Sequence, residues 1–226
     1  MTRLEILNAQ DHQRLRLQPV SHGRHFVQIV VSEFAAASVA CPILFTKEPD
    51  TGRFYAGVIL SLKPGEDALK NTAERGGFQP LNLQRDGFFT SGEHIAIDRS
   101  NPRFSEAEGE PLFDDAQLPT VHLRQIQRVL GQLQASAEAT DAFIRALSEL
   151  KLIEAIDIAL SFDDGDKLTL KGLYTISLDR LSQIDDATVV TLFRRGYLQL
   201  AYLMAATLQH IAILSHLRNE RLSRAL

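Results

Sequence analysis

Tryptophan is absent, and methionine occurs twice and cysteine once in a chain of 226 residues. A lone thiol, Cys41, closes no intramolecular disulfide and builds no cysteine-rich metal site. Aromatic residues make up 7% and are not interleaved with basic ones as a nucleic-acid stacking platform requires. Basic residues number 24 against 28 acidic, a net charge of -4, which excludes a basic phosphate-binding surface as the dominant feature. The start, Met1-Thr2-Arg3-Leu4-Glu5-Ile6-Leu7-Asn8, runs into polar residues and lacks the apolar core of a secretory signal. The most apolar stretch, Leu198 to Leu214, is interrupted by Gln199, Thr207, Gln209 and His210 and flanked by Arg194, Arg195 and Arg218. As a helix it spans about 26 Å, slightly short of a bilayer core, and reads as a core helix. The expectation is a soluble cytoplasmic protein without membrane insertion.

Apolar residues at 45% and charged ones at 23% describe an ordinary globular chain. Phe26 to Val31 reads as a buried strand, and the next strand places Val39, Cys41, Ile43 and Phe45 on one face. Its partner places Phe54, Ala56, Val58, Leu60 and Leu62 on one face, so odd positions oppose even ones and the loop between them has an even length. Glu48-Pro49-Asp50-Thr51 satisfies that parity, with Gly52 free to take positive φ. Further on, Gly65-Glu66-Asp67 suits the start of a short helix, Phe78 to Leu83 and His94 to Ile97 suit strands, and Ser105 to Asp115 reads as an acidic surface loop.

A long helix is predicted from Pro119 to Leu150, with its core stripe through Ile126, Val129, Leu130, Leu133, Ala137, Phe143, Ile144, Leu147 and Leu150. A second hairpin alternates Ile156, Ile158, Leu160 and Phe162 against Leu168, Leu170, Tyr174 and Ile176. Here the parity demands an odd loop, which Asp163-Asp164-Gly165 supplies, and Gly172 falls opposite Ile156. After a short helix from Leu178 to Ile184, Asp185-Asp186 caps a helix from Ala187 to Arg195, and Gly196 stops it. The final helix starts near Tyr197 and buries Leu198, Ala201, Tyr202, Ala205, Leu208, Ala212 and Leu217, with Arg218, Arg221 and Arg224 at its negative end. The fold class is α+β, with a strand-rich N-terminal half, a long central helix, a β-hairpin and C-terminal helices. One domain, 1–226, is expected, with a soft division near 117 between its strand-rich and helix-rich halves.

Chemical motifs are scarce. No G-x-S-x-G elbow, phosphate loop or G-x-G-x-x-G fingerprint occurs. His22-x-x-His25 leads into a strand and lacks a third ligand, and His210 and His216 lie six apart on a helix, which separates them. Asp163-Asp164-Gly165-Asp166 lacks the alternating oxygen ligands and distal glutamate of an EF-hand and reads as a hairpin turn. Cys41 before Pro42 reads as a packed thiol. No metal site, cofactor or catalytic residue is assigned.

A set of spaced landmarks is more specific. Ser32-Glu33-Phe34, Cys41-Pro42-Ile43-Leu44-Phe45 and Thr51-Gly52-Arg53-Phe54 are followed by Gly109-Glu110-Pro111-Leu112-Phe113-Asp114, Gly172-Leu173-Tyr174-Thr175-Ile176 and Arg195-Gly196-Tyr197-Leu198. In this order and spacing they resemble the bacterial SapC family of soluble proteins, over about residues 5 to 220. A departure falls at Leu83-Gln84-Arg85-Asp86-Gly87-Phe88, where the family usually shows a more basic, proline-containing segment. The peptide-transporter permease of the same name is a different protein, and the present chain has no credible span for it. The resemblance implies encoding near TonB-dependent receptors, flavin-dependent tryptophan halogenases and cupin-like proteins, and so an accessory role in nutrient uptake or modification. It supplies no catalytic residue.

The leading expectation is therefore a non-catalytic accessory protein that binds a peptide or protein from the same locus. An enzyme or oxygenase component with a dispersed site, and a surface-layer component, are the alternatives. The candidate binding residues are Arg53 beside the first hairpin turn, Arg85 in the departing segment, and Asp98 and Asp114 around the acidic loop.

Overall fold

The computed structural model describes residues 4–19, 24–62 and 77–224. In chain order the elements are β1 (Leu4–Ile6), α1 (Ala9–His12), β2 (Arg16–Leu17), β3 (Phe26–Gln28), a 3-10 turn (Val31–Glu33), α2 (Phe34–Ala37), β4 (Ile43–Lys47) and β5 (Phe54–Ile59). Then come α3 (Leu81–Gln84), β6 (Phe88–Ser91), β7 (His94–Asp98), β8 (Phe104–Ser105), β9 (Glu110–Pro111) and the central helix α4 (Val121–Glu149). The chain ends with β10 (Ile153–Ser161), β11 (Lys167–Ile176), α5 (Leu178–Leu181), α6 (Asp186–Arg194), α7 (Tyr197–Ala206) and α8 (Gln209–Arg224). The α+β class holds, with the strands concentrated in the first half and helices at the end. The expected helix start at Gly65-Glu66-Asp67, the position of His22 and the side chains of Arg221 and Arg224 lie outside the described residues.

Contacts group the chain into two compact units, Met1–Ser21 with Leu81–Ala135, and His22–Pro80 with Ser136–Leu226. The first unit holds two three-stranded sheets, ordered β1-β7-β6 and β8-β2-β9. Phe88, Ile97 and Leu112 are fully buried in its core, against Leu123, Ile126 and Leu130 of α4. Two expectations are corrected here. Leu81–Gln84 is a helix rather than a strand, because Pro80 suits the residue just before a helical turn and not a ladder. The acidic stretch 105–115 is not simply a loop, since Ser105 and Pro111 both pair with Arg16. Arg103, 5% exposed, stitches this unit: its Nη1 donates to the carbonyls of Gln84 (2.8 Å) and Asp86 (2.9 Å), and its Nε to that of Gln18 (3.3 Å). Burial lowers its pKa, and Asp86 works in the opposite direction.

The second unit is built on a five-stranded antiparallel sheet, ordered β10-β11-β4-β5-β3. One face carries Ile43, Phe45 and Val58, all fully buried. The Phe143 ring of α4 covers it, with centroids 6.2 Å from Phe45, 5.9 Å from Phe34 and 5.5 Å from Tyr197. The other face carries Leu44, Ile59 and Leu173, packed with Ile211 and Leu214 of α8.

The first hairpin keeps the even parity, but Lys47 pairs Phe54 and the Glu48 N–H donates to the Arg53 carbonyl. Its loop is thus Pro49 to Gly52, one residue later than expected, with Gly52 at φ +68°. Val39 and Cys41 precede the strand rather than belonging to it. The alanine run continues α2 to Ala37, Val39 is left 69% exposed in the turn, and Cys41 is buried beneath it. The strand from Phe26 stops at Gln28 and tightens into the 3-10 turn, where the Glu33 carboxylate accepts the Val30 N–H at 3.0 Å.

In the second hairpin the three-residue loop and the pairs Leu160–Leu168 and Ile158–Leu170 are as expected. Beyond them the register shifts: Ile156 pairs Leu173 rather than Gly172, so Lys171 and Gly172 stand against Asp157 alone. Gly172 takes φ +73° with open space around it, so it serves the backbone of a bulge. The bulge moves Leu173 to the face of Leu168 and Leu170, and Tyr174 to the face of Phe45. The acidic tip of this hairpin meets Arg218. Its Nη2 lies 2.7 Å from Asp166 Oδ2 and 3.5 Å from Asp164 Oδ2, and its guanidinium stacks 3.7 Å over the Phe162 ring.

The Asp185 cap forms, its carboxylate accepting the Thr188 N–H at 3.0 Å, and Gly196 ends α6 at φ +73°. The last helix is broken. Thr207 donates to the Met204 carbonyl at 2.7 Å and accepts the Ile43 N–H at 2.9 Å, which separates α7 from α8. Consequently the buried side is Ala201, Met204, Thr207, His210, Ile211 and Leu214, while Tyr202 is 56% exposed. Residues Tyr197–Glu220 are long and apolar enough, by length and composition, to cross a membrane. In the structure α7 packs on α2, β4 and β11.

Candidate functional site

Among the described residues, strand β3 pairs only with Gly57, Val58 and Ile59, and the Ile29 N–H closes the ladder on the Ala56 carbonyl. Chain direction then changes at the 3-10 turn. This leaves the Phe54–Tyr55 end of β5, paired with β4 on one side, with no strand of the described residues on the other, and a groove of about 540 Å³ opens there. Aromatic rings wall it: Phe26 and Tyr55 meet edge to face at 6.1 Å and 74°. Phe54, the other aromatic of the lining, stands against Tyr174 at 4.9 Å with the Lys47 ammonium 4.8 Å from its ring centre.

Gly57 makes the wall possible. A Cβ there would stand 2.3 Å from Phe26 Cε1 and 2.9 Å from the Val27 carbonyl oxygen, so only glycine lets the Phe26 ring lie across β5.

The polar side of the groove comes from the hairpin turn and the central helix. Thr51 donates to Glu48 at 2.6 Å and receives the Arg53 N–H at 3.2 Å, which fixes the turn that presents Arg53. On α4, Thr140 is buried and accepts the Val31 N–H at 3.1 Å, which docks the helix and holds Asp141 beside the groove. Arg53 Nη2 and Asp141 Oδ2 are 3.6 Å apart with side chains 72% and 56% exposed. An ion pair that exposed is worth about 0.2–1 kcal/mol, so either partner is readily given up to a ligand. The Tyr55 phenol is pushed above its usual pKa, first by burial and second by the Glu48 carboxylate, so at neutral pH it is a hydroxyl donor.

Tyr55 and Phe26 also border a second groove of about 480 Å³ on the sheet face, where His25, Thr46, Thr169 and Lys171 supply polar groups and Ile59, Leu170 and Leu173 apolar ones. The two rings therefore form a ridge with a polar groove on one side and a mixed one on the other.

Of the four residues singled out by sequence, Arg53 lines the first groove. The other three belong to the other unit. Arg85 donates to Asn82 Oδ1 at 2.8 Å and the Phe88 carbonyl at 3.0 Å, with its guanidinium 5.3 Å from the Phe89 ring. Asp98 accepts the N–H and hydroxyl of Ser100, at 3.1 and 2.6 Å. Asp114 accepts the N–H groups of Ala116 and Leu118, at 3.0 and 2.9 Å, and borders a groove of about 500 Å³ with Gln13, Arg16 and Thr120. Sequence reasoning missed Phe26, Tyr55 and Asp141. An isolated glycine inside a strand, Gly57, was the available signal that something approaches the backbone closely. Among the described residues no cluster of three or more His, Cys, Asp or Glu side chains is placed to hold a metal ion.

The geometry thus describes an α+β protein with an open, aromatic-walled groove carrying opposite charges at its rim. The family's sequence model, SapC, matches residues 7–214, and the chain belongs to the SapC family. No curated protein and no solved structure matches it.

Proposed function

We propose that this protein is a cytoplasmic accessory protein that binds a peptide or protein segment in the groove of Arg53, Asp141 and Tyr55. The partner is a product of the same locus, of the TonB-receptor and halogenase type. The observation that supports this reading is the exposed Arg53–Asp141 pair beside a ring wall. A peptide offers both charge signs and flat apolar groups, and the groove offers the complement of each. The phenol of Tyr55 and the Gln28 side chain add polar groups for a backbone to meet.

The test is a pull-down at endogenous protein levels, followed by titration of the purified partner against wild type, Arg53→Glu and Asp141→Lys. Each reversal places a like charge where the ligand's complement sits, and affinity is expected to fall about tenfold, the equivalent of about 1.4 kcal/mol. Unchanged affinity in both variants removes the groove from the interaction. Transformation of a peptide or aromatic substrate by the protein alone, at a rate proportional to its concentration, replaces the binding role with an enzymatic one.

A further inference from the structure

Among the described residues strand β10 is the outer strand of the five-stranded sheet, pairs only with β11, and runs for nine residues. The Ser177 N–H donates to the Leu152 carbonyl and the Phe162 N–H to the Asp166 carbonyl, so even-numbered residues carry the ladder to β11. Ile153, Ala155, Asp157, Ala159 and Ser161 therefore turn their N–H and C=O groups to the open side. No described residue bonds to them there. Ala155, Asp157, Ala159 and Ser161 are exposed as residues as well, so the backbone is approachable. Natural edge strands are guarded by charged side chains, lysine above all, by proline, by bulges or by a short span; Ile153–Ser161 is nine residues long and contains no proline, lysine or arginine.

What it carries instead is two exposed carboxylates, Glu154 and Asp157, neither of them in an ion pair among the described residues. We propose that the outer edge of β10 takes up an extended basic segment of a partner protein as a sixth strand. Glu154 shares the sheet face of Ile156, Ile158 and Leu160, and Asp157 points to the opposite face. The segment that fits has apolar residues at alternate positions on the first face and one Lys or Arg on each face, three positions apart. Main-chain bonds supply affinity in such strand addition, and side chains supply choice.

Charge also decides against a second copy of this chain. In any antiparallel self-pairing that aligns Ile156, Ile158 and Leu160 with their counterparts, the two Asp157 side chains fall opposite or diagonal to each other, where like charges repel. The proposal concerns a different surface from the groove and stands whether or not the groove binds a peptide.

The probe is a nine-residue peptide alternating valine and threonine, with lysines set across from Glu154 and Asp157, and a glutamate version as control. The lysine peptide is expected to bind, to weaken with salt, and to slow amide exchange at Ala155, Asp157 and Ala159. The double reversal Glu154→Lys, Asp157→Lys is expected to weaken it about tenfold or more, and to improve binding of the glutamate peptide. Ala159→Pro removes one outward N–H at a position where an edge strand tolerates proline, and is expected to weaken both peptides. Because the charge reversals alter only exposed side chains, they test the idea even if the proline variant does not fold. No binding by wild type, equal affinity in the charge-reversed protein, or exchange protection elsewhere overturns the proposal. So does a concentration-dependent dimer that protects the same three amides without peptide.

Discussion

Replacing Gly57 by alanine is the sharpest test of how the groove wall is built. In an ordinary strand position, alanine for glycine gains about 0.5–1 kcal/mol, since glycine loses the most conformational freedom on folding. At Gly57 the added methyl would lie 2.3 and 2.4 Å from two carbons of the Phe26 ring and 2.9 Å from the Val27 carbonyl oxygen. The ring can swing away, but the carbonyl belongs to the ladder with Val58 and cannot move without disturbing β3. Overpacking of this kind costs about 1–3 kcal/mol, which exceeds the entropic gain and sets the sign. Net of that gain the cost is about 1 kcal/mol, which for a domain of 150–250 residues corresponds to a fall in Tm of about 2–4 °C, measurable by circular dichroism. A double-mutant cycle isolates the cause: in a Phe26→Ala background most of the clash is gone, and Gly57→Ala becomes much less costly. A Tm that is unchanged or raised in the single variant refutes the account of the wall, and equal costs in both backgrounds exonerate Phe26.

Two further outcomes follow from the backbone and its charges. Lys151 ends α4 in the left-handed region at φ +54°, a conformation that costs most side chains about 1–2 kcal/mol and glycine little. Lys151→Gly is therefore expected to raise the midpoint of urea denaturation, and a lowered midpoint counts against it. Asp185 caps α6, and its carboxyl is held below its ordinary pKa of 3.8, first by the Thr188 hydroxyl and then by backbone N–H groups. A depressed folded-state pKa means its contribution is complete above that ordinary value and is lost as pH falls through the lower, folded one. Asp185→Asn is expected to flatten that acid limb of the Tm–pH curve, and an identical limb in both proteins refutes the assignment.

The fold was legible wherever side-chain parity and turn chemistry agree. Both hairpins, the Asp185 cap and the Gly196 stop follow from residues within a few positions of one another. Legibility failed where a long-range contact overrides the local pattern. Alternation alone carries Tyr174 on the face of Leu170, but the bulge at Gly172 delivers it to Phe45, on a strand from the first quarter of the chain. Nor does the apolar run from Leu198 announce its break. Thr207 turns inward to receive the Ile43 N–H, and that partner, 164 positions away, is invisible to helical periodicity.

The same reasoning explains why no motif marked the candidate site. Its rings come from residues 26, 54 and 55, its charges from 53 and 141, and its shape from an absent side chain at 57. Each has a local explanation that satisfies a sequence reader: Phe26 begins a strand, Arg53 follows a turn, and Asp141 occupies a solvated turn of a helix. Only Arg53 stood out, and for its neighbour in the turn rather than its partner on the helix. The acidic hairpin tip, in contrast, is structural, as its turn chemistry indicates: Arg218, stacked on the Phe162 ring, pairs with Asp164 and Asp166. Charge that folding has already paired is spoken for. Among the exposed charges that folding leaves for a partner are the weakly held Arg53–Asp141 pair and, at the sheet's outer edge, the carboxylates of Glu154 and Asp157, so the two proposed surfaces would select differently: the groove for both signs at once, the edge for positive charge alone.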